Sequence, residues 1–262
     1  MSERLHSVIQ SKYRNGEKFF SIYITAGYPD RTLTLPILTA LASSGVDFVE
    51  LGIPFSDPIA DGPTIQAAST TALQNGTTLP WILETVEQFR KNSDLPVILM
   101  GYANPMYQYG IEAFVQDASS AGVDGVIIPD FPLEVAKPLM PYFQATDLDV
   151  IYLIAPNTPR HRIQLLAENT TAFLYCTAYT GVTGKTGQLT PQYREFFNDL
   201  KQTLTVPYVI GFGIHTAQQV RHYYQLADGV VVGSAFIRAI SDARLDTVQH
   251  HVAQFISRLR AY

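Results

Sequence analysis

Cysteine and charge are both scarce in this chain. Cys176 is the one cysteine in 262 residues, so no internal disulfide forms, a disulfide-stapled scaffold is excluded, and a reducing compartment is expected. Charged residues make up 16%, below the roughly 25% usual in globular chains. Lys and Arg number 18 against 23 Asp and Glu. That balance lacks the basic excess of a protein that grips a phosphate backbone, so no nucleic-acid partner is expected. Long hydrophobic runs are missing too. No stretch approaches the ~20 apolar residues of a membrane span, and residues 1–10 are polar rather than signal-like. The reading is a cytoplasmic protein without membrane attachment. A chain so short of charge hides much of its surface or shows an apolar face to a partner.

What is present is a repeating alternation. Eight short runs rich in β-branched and aromatic residues lie at 19–26, 47–51, 96–102, 124–129, 149–155, 172–177, 206–211 and 228–233. They are almost wholly apolar instead of alternating, the mark of parallel strands buried on both faces. Helical spacing fills the gaps at 33–43, 64–74, 79–90, 111–120, 133–145, 160–168, 192–204, 217–226 and 245–260. Gly45, Gly76 and Gly122 stand where helices stop. Thr216 and Gln219 form a capping-box pair, while Pro138 and Pro141 predict a short or broken helix. Eight strand–helix units in 262 residues fit a (β/α)8 barrel, which needs roughly 250. An amphipathic start predicts an extra N-terminal helix, and Gly233-Ser-Ala-Phe236 opens a short helix after the eighth strand. No linker divides the chain, so 1–262 reads as one domain. A doubly wound open sheet fits less well, because no Gly-rich turn follows the first strand.

Barrel active sites lie at the C-terminal ends of the strands. Glu50 sits inside an otherwise apolar second strand, where desolvation drives a carboxyl toward neutral pKa and suits it to acid–base work. Asp57 and Asp61 follow in a loop stiffened by Pro54, Pro58 and Pro63; spacing alone does not rank them, and a capping role for Asp61 competes. The connection 178–190, rich in Thr and Gly, reads as a lid or binding loop. Gly211-Phe-Gly-Ile214 and Gly233-Ser234 end the seventh and eighth strands, where barrels form phosphate sites from backbone amides. Tyr23, Met100, Tyr102, Ile127, Leu153, Tyr175 and Phe212 stand at strand ends and can line a pocket for a flat apolar group. The six histidines form no metal-ligand pattern, and there is no Walker loop or dinucleotide fingerprint. Cys176 reads as an inert core thiol.

The run Glu50-Leu-Gly-Ile-Pro-Phe-Ser-Asp-Pro-Ile-Ala-Asp-Gly-Pro-Thr-Ile-Gln66 resembles the signature of the tryptophan synthase alpha chain family. The likeness extends through Thr25-Ala-Gly-Tyr-Pro29, Met100-Gly-Tyr-Ala-Asn-Pro105, Gly125-Val-Ile-Ile-Pro-Asp130, Gly181-Val-Thr-Gly184, Gly211-Phe-Gly-Ile214 and Gly233-Ser234. It implies cleavage of indole-3-glycerol phosphate to indole and glyceraldehyde 3-phosphate. By the same resemblance Glu50 is the acid–base residue, and Asp61 accepts the indole N–H. Thr183 bonds Asp61 on loop closure, and Gly184, Gly213, Gly233 and Ser234 hold the phosphate. Met100, Ile127, Leu153, Tyr175 and Phe212 pack the indole. It also implies a pyridoxal-phosphate beta chain as partner in an alpha2–beta2 heterotetramer, with no cofactor or metal on this chain. An apolar face near Pro54, Phe55, Pro58 and residues 105–109 is expected to dock there. One departure stands out: where the family usually reads Ser-Arg, this chain has Ala178-Tyr179, which predicts altered lid closure or coupling.

Overall fold

Each strand is apolar on both sides because each side meets a different core. Side chains alternate along a strand, so Phe19 and Tyr23 of the first strand join one cluster while Phe20, Ile22 and Ile24 join another. The computed structural model describes residues 1–177, 191–211 and 213–260. Among these, nine strands form one parallel sheet: β1 (Phe19–Thr25), β2 (Phe48–Gly52), β3 (Val97–Met100), β4 (Gly125–Ile127), β5 (Asp149–Ile151), β6 (Leu153–Ile154), β7 (Leu174–Thr177), β8 (Tyr208–Gly211) and β9 (Gly229–Val232). Their order is β5-β4-β3-β2-β1-β9-β8-β7-β6. The two ends of this sheet, β5 and β6, are consecutive in the chain, so the sheet curls into a nearly closed barrel.

The run expected as a single fifth strand is therefore two. Asp149–Ile151 pairs with β4 and Leu153–Ile154 pairs with β7. Strands in a barrel tilt and stagger, so one strand meets its two neighbours along different stretches. A second difference is the helix Ala103–Tyr109, which falls outside the stretches of helical spacing in the sequence. Its Pro105 sits in the first turn, where a missing amide costs nothing, and Asp130 Oδ1 accepts the Ala103 amide at 2.9 Å. The predicted break in 133–145 appears as Leu133–Ala136, a 3-10 turn Lys137–Leu139 and Met140–Gln144. The Thr216–Gln219 capping box is formed.

The outward side chains pack under helices such as Arg31–Ala42 and Leu79–Arg90, through Ile37, Leu41, Ile82, Val86 and Phe89. The inward ones, among them Phe48, Ile98, Met100, Ile127, Ile151, Phe173, Tyr175, Val209 and Val231, fill the barrel. The helix Glu3–Arg14 adds Leu5 and Ile9 to that inner cluster, closing the end of the barrel where the strands begin. A polar clasp fixes it there. The Ser2 amide donates to Asp149 Oδ2 at 3.0 Å, Arg4 Nε to Asp124 Oδ1 at 2.8 Å, and His6 Nε2 lies 3.1 Å from Asp149 Oδ1. Arg90 Nη2 meets Asp124 Oδ2 at 2.5 Å. Asp124 and Asp149 are both fully buried, a placement tolerable only because each carboxylate is paired and hydrogen-bonded. With one end sealed, the other is left for a ligand.

Candidate active site

Glu50 occupies the third position of β2, two residues beyond the inward Phe48, and so shares its side. Tyr23 of β1 and Ile98 of β3 flank it in register. The residue is fully buried, and neither carboxyl oxygen has a hydrogen-bond partner. Burial pushes its pKa from 4.5 up to about 8, so the group is protonated at neutral pH.

Over the strand ends lies a pocket of about 440 Å³, counting the space open to solvent. Its walls are Tyr23, Asp61, Ile65, Met100, Tyr175, Gly213, Val231, Gly233 and Ser234. Glu50 is behind this wall, and its charge acts on the phenols of both Tyr23 and Tyr175.

Of the two loop aspartates, Asp61 faces the pocket and Asp57 is exposed, its carboxylate taken by the Ser56 hydroxyl. The following helix, Pro63–Gln74, has Gly62 at its N-cap and no side-chain cap, so Asp61 is not used as a cap. Tyr102 Oη donates to Asp61 Oδ2 at 3.1 Å and accepts the Ala60 amide at 2.9 Å. Burial raises the Asp61 pKa to about 6, with the Tyr102 bond working in the opposite direction. Two carboxyls thus stand near one pocket with their pKa values driven apart by environment, the arrangement that separates an acid from an acceptor.

The glycine turns lie on the opposite wall. Gly213 has φ +76°, a conformation glycine adopts without strain, and its carbonyl accepts from His215 Nδ1 at 2.9 Å. Gly233 precedes the helix Ser234–Ala239, whose Phe236 and Ile237 amides return to the Gly233 carbonyl at 2.8 and 3.0 Å. The Ser234 and Ala235 amides, ahead of these, have no carbonyl to reach within the helix, which makes such a turn receptive to an anion.

Met100 and Tyr175 line the pocket, whereas Ile127 and Leu153 sit beside them in the inner cluster, off its wall. Thr183, Gly184 and Phe212 lie outside the described residues, as does the Ala178-Tyr179 departure. Ile65 and Val231 were not among the expected pocket residues. Val231 is two positions before Gly233 on the inward side of β9, a parity signal available in the sequence; Ile65 comes from the helix after Asp61 and carries no such signal. Among the described residues no three His, Cys, Asp or Glu side chains gather as a metal site, and no helix is long and apolar enough to cross a membrane. Cys176 is buried, and burial pushes its thiol pKa well up.

The family model for the tryptophan synthase alpha chain matches residues 9–261. The alpha chain of Geotalea uraniireducens is 42% identical over an alignment 261 residues long that covers 98% of this chain and 97% of that one. The crystal structure of tryptophan synthase subunit alpha from Legionella pneumophila superposes with a TM-score of 0.89 at 36% identity, covering 100% of this chain and 98% of the other. A chain from the crystal structure of a tryptophan synthase complex of Pyrococcus furiosus gives 0.84 at 33% identity, with coverage of 93% and 98%.

Proposed function

The chain belongs to the tryptophan synthase alpha chain family, and we propose that the pocket over β2 is where it works on its substrate. The activity is that of a carbon–carbon lyase: indole-3-glycerol phosphate is cleaved to indole and glyceraldehyde 3-phosphate in tryptophan biosynthesis. The observation that carries the site assignment is Glu50, a fully buried carboxyl with both oxygens unpartnered.

Protonated at neutral pH, Glu50 gives its proton to the indole ring carbon that bears the glycerol chain. The ring becomes cationic, and ionised Asp61 accepts a hydrogen bond from its N–H. The Glu50 carboxylate then takes the proton of the adjacent glycerol hydroxyl, the carbon–carbon bond breaks, and its electrons return to the ring. The aldehyde and indole leave, and Glu50 is again protonated. Met100 and Tyr175 hold the indole, backed by Ile127 and Leu153 of the inner cluster. The Gly213 turn, Gly233 and Ser234 hold the phosphate; the roles that the family resemblance implies for Thr183 and Gly184 fall outside the described residues.

Residues 1–262 act as one barrel domain, a reading supported by the single nine-stranded sheet. The family works with a beta chain, and the finer reading is an alpha2–beta2 heterotetramer in the cytoplasm, with pyridoxal phosphate on the beta chain and no cofactor here. The docking face runs past Pro54, Phe55, Pro58 and Pro105–Tyr109; Ile59, 81% exposed, and Tyr107, 47% exposed, supply apolar surface within it. The test is indole release from indole-3-glycerol phosphate by the purified chain, alone and with a beta chain. Weak release alone and strong stimulation in the complex are expected; no indole in either assay from folded protein removes the proposal.

A further inference from the structure

We propose that Tyr23 is a positioning residue for Glu50, its hydroxyl donating to the Glu50 carboxylate once that group has given up its proton. The proposal rests on the assignment of Glu50 as the acid above.

β1 and β2 run in register, with Tyr23 opposite Glu50 and Thr25 opposite Gly52. Gly52 is the next inward position on the strand of Glu50, one step nearer the pocket. A Cβ there would lie 2.1 Å from Tyr23 Oη. The phenol therefore leans across onto the neighbouring strand, one inward step beyond Glu50 and beside its path to the pocket, in space that Gly52 leaves vacant. Thr25 Oγ1 donates to Tyr23 Oη at 3.5 Å, which engages the oxygen and leaves its proton to turn elsewhere.

Glu50 needs such a donor. Its two oxygens have no partner, which is tolerable for a neutral carboxyl and costly for a buried anion. The reaction makes that anion transiently. Two phenols feel the Glu50 charge: Tyr175 from β7, on which it is the foremost charge, and Tyr23 from β1, on which Asp61 and Tyr102 weigh more; the register places Tyr23 directly beside Glu50, and β3 presents apolar Ile98 on the other side. In the strand order β1 adjoins β2, whereas β7 is separated from it by β1, β9 and β8. Burial holds the Tyr23 phenol well above its ordinary pKa, so it donates a hydrogen bond without losing its proton. The proton itself moves only between Glu50, the ring carbon and the glycerol hydroxyl.

The experiment compares Tyr23→Phe and Glu50→Gln with the full chain for kcat, KM and their pH profiles, and for denaturant midpoint against pH. Tyr23→Phe is expected to lower kcat by roughly tenfold or more, the scale of one hydrogen bond to a charged group. KM should stay within about threefold. Loss of a donor to the anion raises the Glu50 pKa, so the high-pH limb of kcat moves up by about one unit, and the midpoint profile moves with it. A raised KM with the limb in place would mean that Tyr23 only packs the indole, and would overturn the proposal, as would unchanged kcat and unchanged limb. Near-normal turnover by Glu50→Gln would instead overturn the assignment of Glu50 on which the proposal rests; an inactive Glu50→Gln beside an unaltered Tyr23→Phe isolates the failure to Tyr23.

Discussion

Tyr102 and Asp61 are joined by a hydrogen bond of 3.1 Å that ties the loop after β2 to the end of β3. The same phenol oxygen takes the Ala60 amide at 2.9 Å, so one hydroxyl fixes both the path of the loop and one oxygen of the carboxylate. Tyr102→Phe removes the donor that favours the ionised form, and the Asp61 pKa rises further above about 6. The acid limb of kcat/KM is expected to move to higher pH, and kcat/KM at pH 7 to fall by roughly tenfold. A steady-state pH series checks it, and an unmoved acid limb contradicts it.

The unmodified enzyme has a defined pH window. Asp61 must be ionised to accept the indole N–H, so activity rises with pH through about 6. Glu50 must be protonated to act as the acid, so activity falls as pH rises through about 8. The profile is expected to be a bell between these values, carried by kcat/KM in the free enzyme. Activity that climbs steadily beyond pH 9 would contradict the assignment of Glu50 as the acid.

The same burial that tunes Glu50 destabilises the fold. Its pKa is raised from 4.5 to about 8 on folding, so the folded state binds this proton more tightly than the unfolded one. That contribution to stability is fully present below about 4.5 and is lost as pH rises through about 8. Glutamine does not ionise. Glu50→Gln should therefore gain on the unmodified chain by about 1.4 kcal/mol per pH unit across that interval. Urea midpoints at pH 4.5 and pH 8 measure the gain; an equal difference at both pH values contradicts it.

At the sealed end the prediction has the opposite sign. Asp124 is fully buried and holds Arg4 Nε, Arg90 Nη2, the Ser2 hydroxyl and the Val97 amide. Asp124→Ala leaves Arg90 largely buried without its carboxylate partner, which is expected to cost about 3–5 kcal/mol and to lower Tm by roughly 10 °C. Below that temperature kcat should be near normal, because the clasp is at the far end of the barrel from the pocket. Calorimetry and a rate measurement at 20 °C separate the two effects.

Glu50 is legible in the sequence because a carboxylate inside an apolar strand breaks a rule that its neighbours obey. Asp61 is not separable from Asp57 by spacing, because the choice depends on Tyr102, which lies 41 residues further on. The strands are readable as uninterrupted apolar runs. The switch of partners at Tyr152, which divides the fifth run, belongs to barrel stagger and has no local signal. The helix Ala103–Tyr109 is hidden behind Asn104-Pro105, and part of its hold comes from Asp130 on another loop. Ile65 reaches the pocket from a helix whose burial pattern is decided by how the Asp61 loop returns to the barrel.

Glu50→Gln is the most direct measurement of the central claim, with indole release and glycerol 3-phosphate binding followed in the same preparation. Loss of the proton donor is expected to reduce indole release by a factor of about 10²–10⁴, the range of a positioned acid–base group, while phosphate affinity stays as it was. Indole release within about tenfold of the unmodified chain would contradict the account and place the acid elsewhere.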